Sequence, residues 1–304
     1  MKKNYLSVTW AVVPLAIFCQ AAWGSAFPLI KKGYSLFGIS GVASPLVFGG
    51  IRFVLASVLL FAVVLFRDRK FPLPDRNQLK GLLLLGTIQS YLVYVFEYIA
   101  LNYCSGASSS IVNSVQPFAM TIFACYVFRT EKMNFMKILG ISLGFAGIII
   151  CFTGQEFGRV TFLGEGFMII SSCLFALGAN FAKKLVTGGD TVVTTAYNLL
   201  IGGFELLLTG LIFGGRMTDG GAEGYGILLI LALISAVCFL IWTALSKFNH
   251  ISRIAPYQFV NPISGVICSA LILGEDLFKF KYLITLVLVS LGIIITNSAV
   301  RDKQ

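Results

Sequence analysis

The sequence predicts an all-α membrane protein: ten transmembrane helices, arranged as two five-helix halves that enter the bilayer from opposite sides. Three observations carry this. The 304 residues are 57% hydrophobic and only 12% charged, about half the charge that a water-covered globular surface uses. The mean hydropathy is +0.89. The apolar residues fall into ten segments of near-spanning length, and short sequence matches recur in the same order in the first five and the last five.

The segments run from Thr9 to Leu29, Pro45 to Phe66, Gly81 to Leu101, Ser109 to Phe128 and Ile138 to Thr153 in the first half. In the second they run from Gly164 to Ala182, Val192 to Phe213, Gly226 to Leu245, Pro256 to Leu273 and Tyr282 to Val300. Lipid offers the backbone no hydrogen-bond partner, so segments this apolar form helices. Barrel strands would alternate polar and apolar residues, and these do not. A spanning helix takes about 20 residues, which leaves connections too short for a folded soluble domain. The first segment follows Lys2 and Lys3 like a signal peptide, but its apolar run exceeds the usual length of roughly 7–15 residues, so it is read as a retained span.

Orientation follows from Lys and Arg. Of the 23 basic residues, sixteen fall at the termini and the even-numbered connections and six at the odd ones, which places both termini in the cytoplasm of a multi-pass plasma-membrane protein. The formal charge of +10 is thus scattered between spans rather than gathered on one face, which argues against a nucleic-acid partner. The seven cysteines are odd in number and lie within spans or at their ends, so they read as small apolar residues. One histidine, His250, leaves no basis for a His-rich metal site or a cofactor.

The internal repeat sets the halves at 1–154 and 155–304. Trp23-Gly24-Ser25-Ala26-Phe27 parallels Leu177-Gly178-Ala179-Asn180-Phe181, and paired lysines follow both, Lys31-Lys32 and Lys183-Lys184. Gly49-Gly50-Ile51-Arg52 matches Gly202-Gly203-Phe204-Glu205, Gln116-Pro117 matches Asn261-Pro262, and Glu131 and Glu275 follow at similar distances. Gly147-Ile148-Ile149-Ile150 matches Gly292-Ile293-Ile294-Ile295. An odd number of spans per half inverts the second half, an arrangement that recurs in alternating-access carriers.

Three ionisable residues lie well inside spans: Arg52, Glu97 and Glu205. Each costs roughly 2.5–3.5 kcal/mol at the bilayer centre on insertion scales, so each needs a partner or a purpose. Two readings stand. Arg52 forms an ion pair with Glu97 or bonds backbone carbonyls; or Glu97, and by the same logic Glu205, serves as a cation or proton site. Ser90, Tyr94 and Glu97 share one face of helix 3 by their spacing, Ser109, Asn113, Gln116 and Met120 one face of helix 4, and Tyr257, Asn261 and Ser264 one face of helix 9. Such faces either bond helix to helix or line a substrate path. Pro117 and Pro262 each remove a helix hydrogen bond, leaving the carbonyls of Asn113 and Gln258 unpaired, and broken helices at matching places point to a binding site. Trp10 suits an interfacial belt; Trp23 and Trp242, beside Gln20 and Thr243, either wall a cavity or face lipid. Gly140, Gly144 and Gly147 form a small-residue face on helix 5 suited to scaffold packing or a homodimer contact.

Ten short spans in two fives, Trp23-Gly24-Ser25 closing helix 1, Arg52 in helix 2, Pro117 and Pro262 in helices 4 and 9, and Leu273-Gly274-Glu275 ending helix 9 resemble the EamA-type drug/metabolite transporter superfamily over almost the whole chain. The sequence departs from strict internal symmetry at Glu205, opposite in charge to Arg52, and at Arg129-Thr130-Glu131. The resemblance implies inverted repeats around a central cavity lined mainly by helices 1, 3, 4, 6, 8 and 9. It also implies transport of amino acids, other metabolites, drugs or nucleotide sugars, often by export or proton coupling.

These readings combine into an expectation: a secondary-active carrier, an exporter of an amino acid or other amine-bearing metabolite, working by alternating access. Its substrate site is expected at Gln20, Trp23, Tyr94, Glu97, Asn113 and Gln116, joined by Asn180, Trp242, Tyr257 and Asn261 from the second half. A proton-coupled exporter of multiple cationic drugs is the alternative. A channel fits less well with short, apolar, inverted halves. A membrane-embedded enzyme lacks a nucleophile–base pair or ligand cluster, and no GxxxxGK[ST] loop for nucleotide hydrolysis occurs.

Overall fold

The computed structural model describes residues 9–105, 108–109, 112–130, 132–152, 161–186, 189–249, 251–274 and, within 283–295, all but 286, 289 and 293. The 154/155 boundary, Glu131, His250, Glu275 and the side chain of Trp10 lie outside the described residues. Among those described, every regular element is a helix.

α1 spans Thr9–Leu36, α2 Ala43–Asp68 and α3 Arg76–Ala100. α4 is a short helix, Gln116–Ile122, and α5 runs over Phe135–Phe152. α6 is Phe167–Val186, α7 Thr191–Ile212 and α8 Gly221–Phe248. α9 is Val260–Leu273 and α10 Leu283–Gly292. Six of these regions, α1 to α3 and α6 to α8, are long and apolar enough to cross a membrane, while α5, α9 and α10 contribute shorter apolar helices. The protein is a multi-pass membrane protein.

α1 runs seven residues past the expected end at Leu29, through Pro28 and both lysines. Lys31 stays helical because its ammonium reaches carbonyls at the end of α3. Polar caps set other boundaries. Asp75 accepts from the amides of Asn77 and Gln78 and, with the Gln78 side chain returning to its own amide, forms a capping box that starts α3. Asp190 does the same work for α7 through the amides of Val192 and Val193.

Around Pro117 and Pro262 the chain behaves alike. A tight 3₁₀ turn, Asn113–Val115, precedes α4, and another, Ala255–Phe259, precedes α9. The Asn113 carbonyl accepts from the Gln116 amide and the Gln258 carbonyl from the Val260 amide. The expectation of unpaired carbonyls at these breaks is therefore corrected: the turns tighten and recover the bonds that proline removes.

α2 and α7 pack along each other as a central spine, and the other helices flank it in two groups. α1 packs on α8 and α9; α3 and α4 pack on α6. α8 also leans on α2, and α3 on α7. Glycines allow the spine's close approach. A Cβ on Gly50 would stand 2.6–2.7 Å from the backbone and Cβ of Leu207, and one on Gly203 would stand 2.8–2.9 Å from the Phe53 Cβ and the Val54 amide.

Candidate functional site

A cavity lies between the two flanking groups. From one group α1 supplies Trp23, Ala26 and Phe27, and α9 supplies Asn261. From the other come Tyr94 and Glu97 of α3, Asn113 and Gln116 at the break before α4, and Phe175 of α6, with Arg52 of the spine between them. The free volume is about 30 Å³, room for roughly one water against the several hundred Å³ of a small-molecule pocket. In this form the cavity is too small to hold a metabolite.

The walls are aromatic. Trp23 meets Phe175, Phe239 and Trp242 edge to face, with ring centroids 6.1, 5.4 and 5.9 Å apart. Such edge-to-face pairs add about 0.5–1.5 kcal/mol each beyond burial. Polar atoms are nevertheless left over in this apolar wall. The Nε1–H groups of Trp23 and Trp242, the Gln20 Nε2 and the Asn261 Oδ1 are buried and have no hydrogen-bond partner. A buried polar group without a partner costs about 1–3 kcal/mol, so the two that line the cavity, on Trp23 and Asn261, form a standing deficit that a polar ligand could relieve.

Arg52, 1% exposed, is held as a fixed cation. Its Nε donates to the Ser235 hydroxyl at 2.8 Å and the Leu231 carbonyl at 3.2 Å, and its Nη1 to the Tyr98 hydroxyl at 3.2 Å. The guanidinium lies 5.3 Å from the Phe53 ring centroid, a cation–π contact. Arg52 and Glu97 border the same cavity, yet the ion pairs among the described residues are Lys32–Glu223, Arg67–Asp68 and Arg67–Asp190. Of the acceptors expected for Arg52, neither the Glu97 carboxylate nor a set of backbone carbonyls holds it alone: one carbonyl, of Leu231, is joined by the hydroxyls of Ser235 and Tyr98. Glu97 is half-buried beside the cavity, and its carboxylate has no cation bound to it among the described side chains.

The other expected residues divide. Tyr94, Asn113, Gln116 and Asn261 line the cavity with Trp23. Gln20 and Trp242 are buried but do not line it: Trp242 packs on Trp23, and Gln20 lies one turn before Trp23 in α1. Asn180 does not line it: its amide donates to the carbonyls of Ala176 and Met120, tying α6 to α4. Tyr257 is half-buried in the turn before α9 and packs on the core. Glu205 faces the α3–α7 seam, where Thr87 donates to its Oε1 at 2.8 Å while its Oε2 is unpartnered.

Ser90 departs from its expected face. It donates to Asn198 of α7, whose amide in turn donates to Gln89, while Tyr94 and Glu97 line the cavity. The cause is a π turn over Gly86–Leu92, which adds a residue to the turn and rotates everything before it away from the helical register. Helix 4 behaves comparably: the Ser109 hydroxyl returns to the Ser105 carbonyl. Ala26, Phe27 and Phe175 were not singled out from sequence, since small and aromatic residues inside an apolar helix carry no signal distinguishing cavity from core.

Comparison with known proteins places the fold. A profile of the EamA-like transporter family matches residues 10–153 and 162–298. The chain belongs to this family. It is 27% identical to the uncharacterized transporter YvbV of Bacillus subtilis, over 95% of this chain and 92% of that protein. It is 32% identical to an S-adenosylmethionine/S-adenosylhomocysteine transporter of Chlamydia muridarum, over 62% of this chain and 59% of that protein. A solved crystal structure covering 98% of this chain and 100% of its own shares the fold, with a TM-score of 0.69 at 13% identity. This EamA-like protein is a transporter, not an enzyme.

Proposed function

We propose that this EamA-like protein is a secondary-active exporter of a small amine-bearing metabolite, with amino acids the leading class, working by alternating access between two inverted five-helix repeats, 1–154 and 155–304. The observation that carries the reading is the cavity: one carboxylate without a bound cation, Glu97, beside unpartnered polar atoms of Trp23 and Asn261, walled by rings. The carboxylate suits an ammonium; the Asn261 oxygen accepts a second N–H; the Trp23 indole N–H suits a carboxylate. A cavity this narrow between two helix groups suits a carrier rather than an open channel.

The packing supports the inverted repeat. Exchanging each helix with the one five places on turns the α1–α8 and α1–α9 contacts into α6–α3 and α6–α4, and α2–α8 into α7–α3; all of these occur. Gly50 against Leu207 and Gly203 against Val54 is the reciprocal contact a two-fold axis in the membrane plane produces. The two stretches matched by the family profile support the same division.

The same aromatic wall favours the second reading, a proton-coupled exporter of cationic compounds. One relative's description as an S-adenosylmethionine/S-adenosylhomocysteine transporter adds that pair to the ligands worth testing. A thermal-shift screen of the purified protein with amino acids, polyamines, nucleobases, S-adenosylmethionine and cationic drugs tests the proposal. An amine-bearing ligand at 100 times its Kd stabilises the fold by about 2.7 kcal/mol, and a tenfold or greater loss of affinity in Glu97→Gln cuts this to about 1.4 kcal/mol or less at the same concentration. Stabilisation by amine-free ligands alone, or an undiminished shift in Glu97→Gln, contradicts it.

A further inference from the structure

Each flanking group meets the spine at a joint made by the end of one helix and the beginnings of two others. Where α1 ends and α2 and α8 begin, a phenyl ring fills the joint. Phe37, directly after α1, is 1% exposed. Its ring centroid lies 5.9 Å from that of Phe48 in α2 and 5.4 Å from that of Tyr225 in α8. A Cβ on Gly220 would stand only 2.5–2.7 Å from the ring. The Phe37 carbonyl accepts from the Thr218 amide at 2.9 Å, which holds the turn before α8 against it.

Exchanging each helix with the one five places on carries this joint to the end of α6 and the beginnings of α7 and α3. There the protein has a cavity of about 400 Å³, open to the surface. That volume lies within the roughly 300–1,000 Å³ of small-ligand sites. Leu185 of α6, Val193 of α7, Leu82 of α3 and Pro72 and Leu73 of the α2–α3 connection line it with Gly189. Phe37 stands six residues after Lys31 and Gly189 six residues after Lys183, and these two lysines match in the repeat. The position that carries a benzyl group in one half carries no side chain in the other. Space does not demand the glycine, since a Cβ there would meet nothing nearer than 3.6 Å.

The surroundings of this cavity narrow what fits it. Arg69, Lys70, Arg76 and Lys80 are exposed along the α2–α3 connection and the first turns of α3. None has an acidic partner among the described residues. The neighbouring carboxylates are engaged: Asp68 and Asp190 pair with Arg67, and Asp75 caps α3. Phe66 is 88% and Leu73 84% exposed in the same stretch. Cations beside large exposed apolar side chains are the composition of a surface seated at the lipid headgroups. A soluble anion would use the cations and leave the apolar cavity unused, and an uncharged lipid would do the reverse.

We propose that the cavity between α3, α6 and α7 holds an acyl chain of an anionic phospholipid, with its phosphate among Arg69, Lys70, Arg76 and Lys80. The lipid takes the place that Phe37 takes in the other half and wedges α3 and α6 against the spine. The inference rests on the repeat pairing of the alternating-access reading, not on its substrate. By the orientation read from Lys and Arg, this end lies at the cytoplasmic leaflet, whose anionic lipids attract cations next to a span.

Native mass spectrometry of the full chain in detergent tests this, with palmitoyl-oleoyl phosphatidylglycerol titrated against phosphatidylcholine of the same chains. One phosphatidylglycerol should bind about tenfold or more tighter than phosphatidylcholine, as two or more cations near its phosphate imply. Gly189→Phe, which supplies the benzyl group of the other half, should weaken that lipid about tenfold. Gly189→Leu, a smaller plug, should weaken it less and serves if the larger ring prevents folding. Arg76→Gln with Lys80→Gln should cut the preference for phosphatidylglycerol about fivefold or more and leave phosphatidylcholine unchanged. Equal binding of the two lipids, or undiminished phosphatidylglycerol binding in both Gly189 variants, overturns the proposal. So does displacement of the lipid by glycerol phosphate at similar concentration, which would show that the headgroup alone suffices. Amine binding through Glu97 is read separately, by thermal shift, and neither result decides the other.

Discussion

Arg52 and Glu205 stand at matching places of the two halves, each two residues after a Gly-Gly pair that lets the spine close, and they show what the repeat keeps and what it lets go. Arg52 reaches across to α8 and Glu205 across to α3, the same step under exchange of halves. Their chemistry then diverges. Arg52 is buried, held by three oxygens and bordering the cavity. Glu205 is half-buried at a seam, with one oxygen used and one not. The fold duplicates a position; burial and neighbours decide whether it becomes part of a site.

The largest effect should come from breaking the more buried member. Arg52→Ala strips partners from Ser235, Tyr98 and the Leu231 carbonyl in the interior, and should destabilise the protein by about 3–5 kcal/mol, by analogy with breaking a buried charged contact. A monodisperse peak with an unchanged melting temperature would show that Arg52 is dispensable. Next come the spine glycines. Gly50→Leu and Gly203→Leu insert side chains where a Cβ already collides with backbone, each costing about 1–3 kcal/mol or more. Reciprocal packing predicts similar losses, within about 1 kcal/mol of each other; a neutral Gly203→Leu beside a crippling Gly50→Leu would break the equivalence of the halves. Glu97→Gln should leave stability within about 0.5 kcal/mol, as expected for a change outside the packing, while weakening amine ligands by roughly 10-fold or more, one lost charged contact. The smallest effect belongs to Glu205→Gln, which keeps an oxygen for Thr87; both melting and ligand affinity should stay close to wild type. Loss of ligand binding there would move the site to the α3–α7 seam.

Much of the cavity was legible because polar residues inside apolar helices are few and must be explained. Trp23, Tyr94, Glu97, Asn113, Gln116 and Asn261 stand out on that ground, and they border one cavity. What escaped depends on backbone geometry that side-chain spacing cannot reveal. The π turn at Gly86–Leu92 sends Ser90 to α7. Asn180, a candidate by its repeat match, spends its amide on α4 and its own helix. The end of α1 was misplaced because Lys31 and Lys32 read as a connection; the carbonyls of Leu101 and Cys104 that Lys31 reaches come from seventy residues away.

The account stands on two helix groups that rock about the α2–α7 spine so that the cavity opens to one side at a time. Paired bio-orthogonal spin labels test it most directly, one pair at Val42 and Tyr103 and the other at Leu73 and Phe248, all exposed positions at opposite ends of the molecule. In lipid nanodiscs each pair should show a short and a long distance, with conditions or variants that lengthen one pair shortening the other. A single unchanging distance at both ends, or two ends that widen together, would contradict the account.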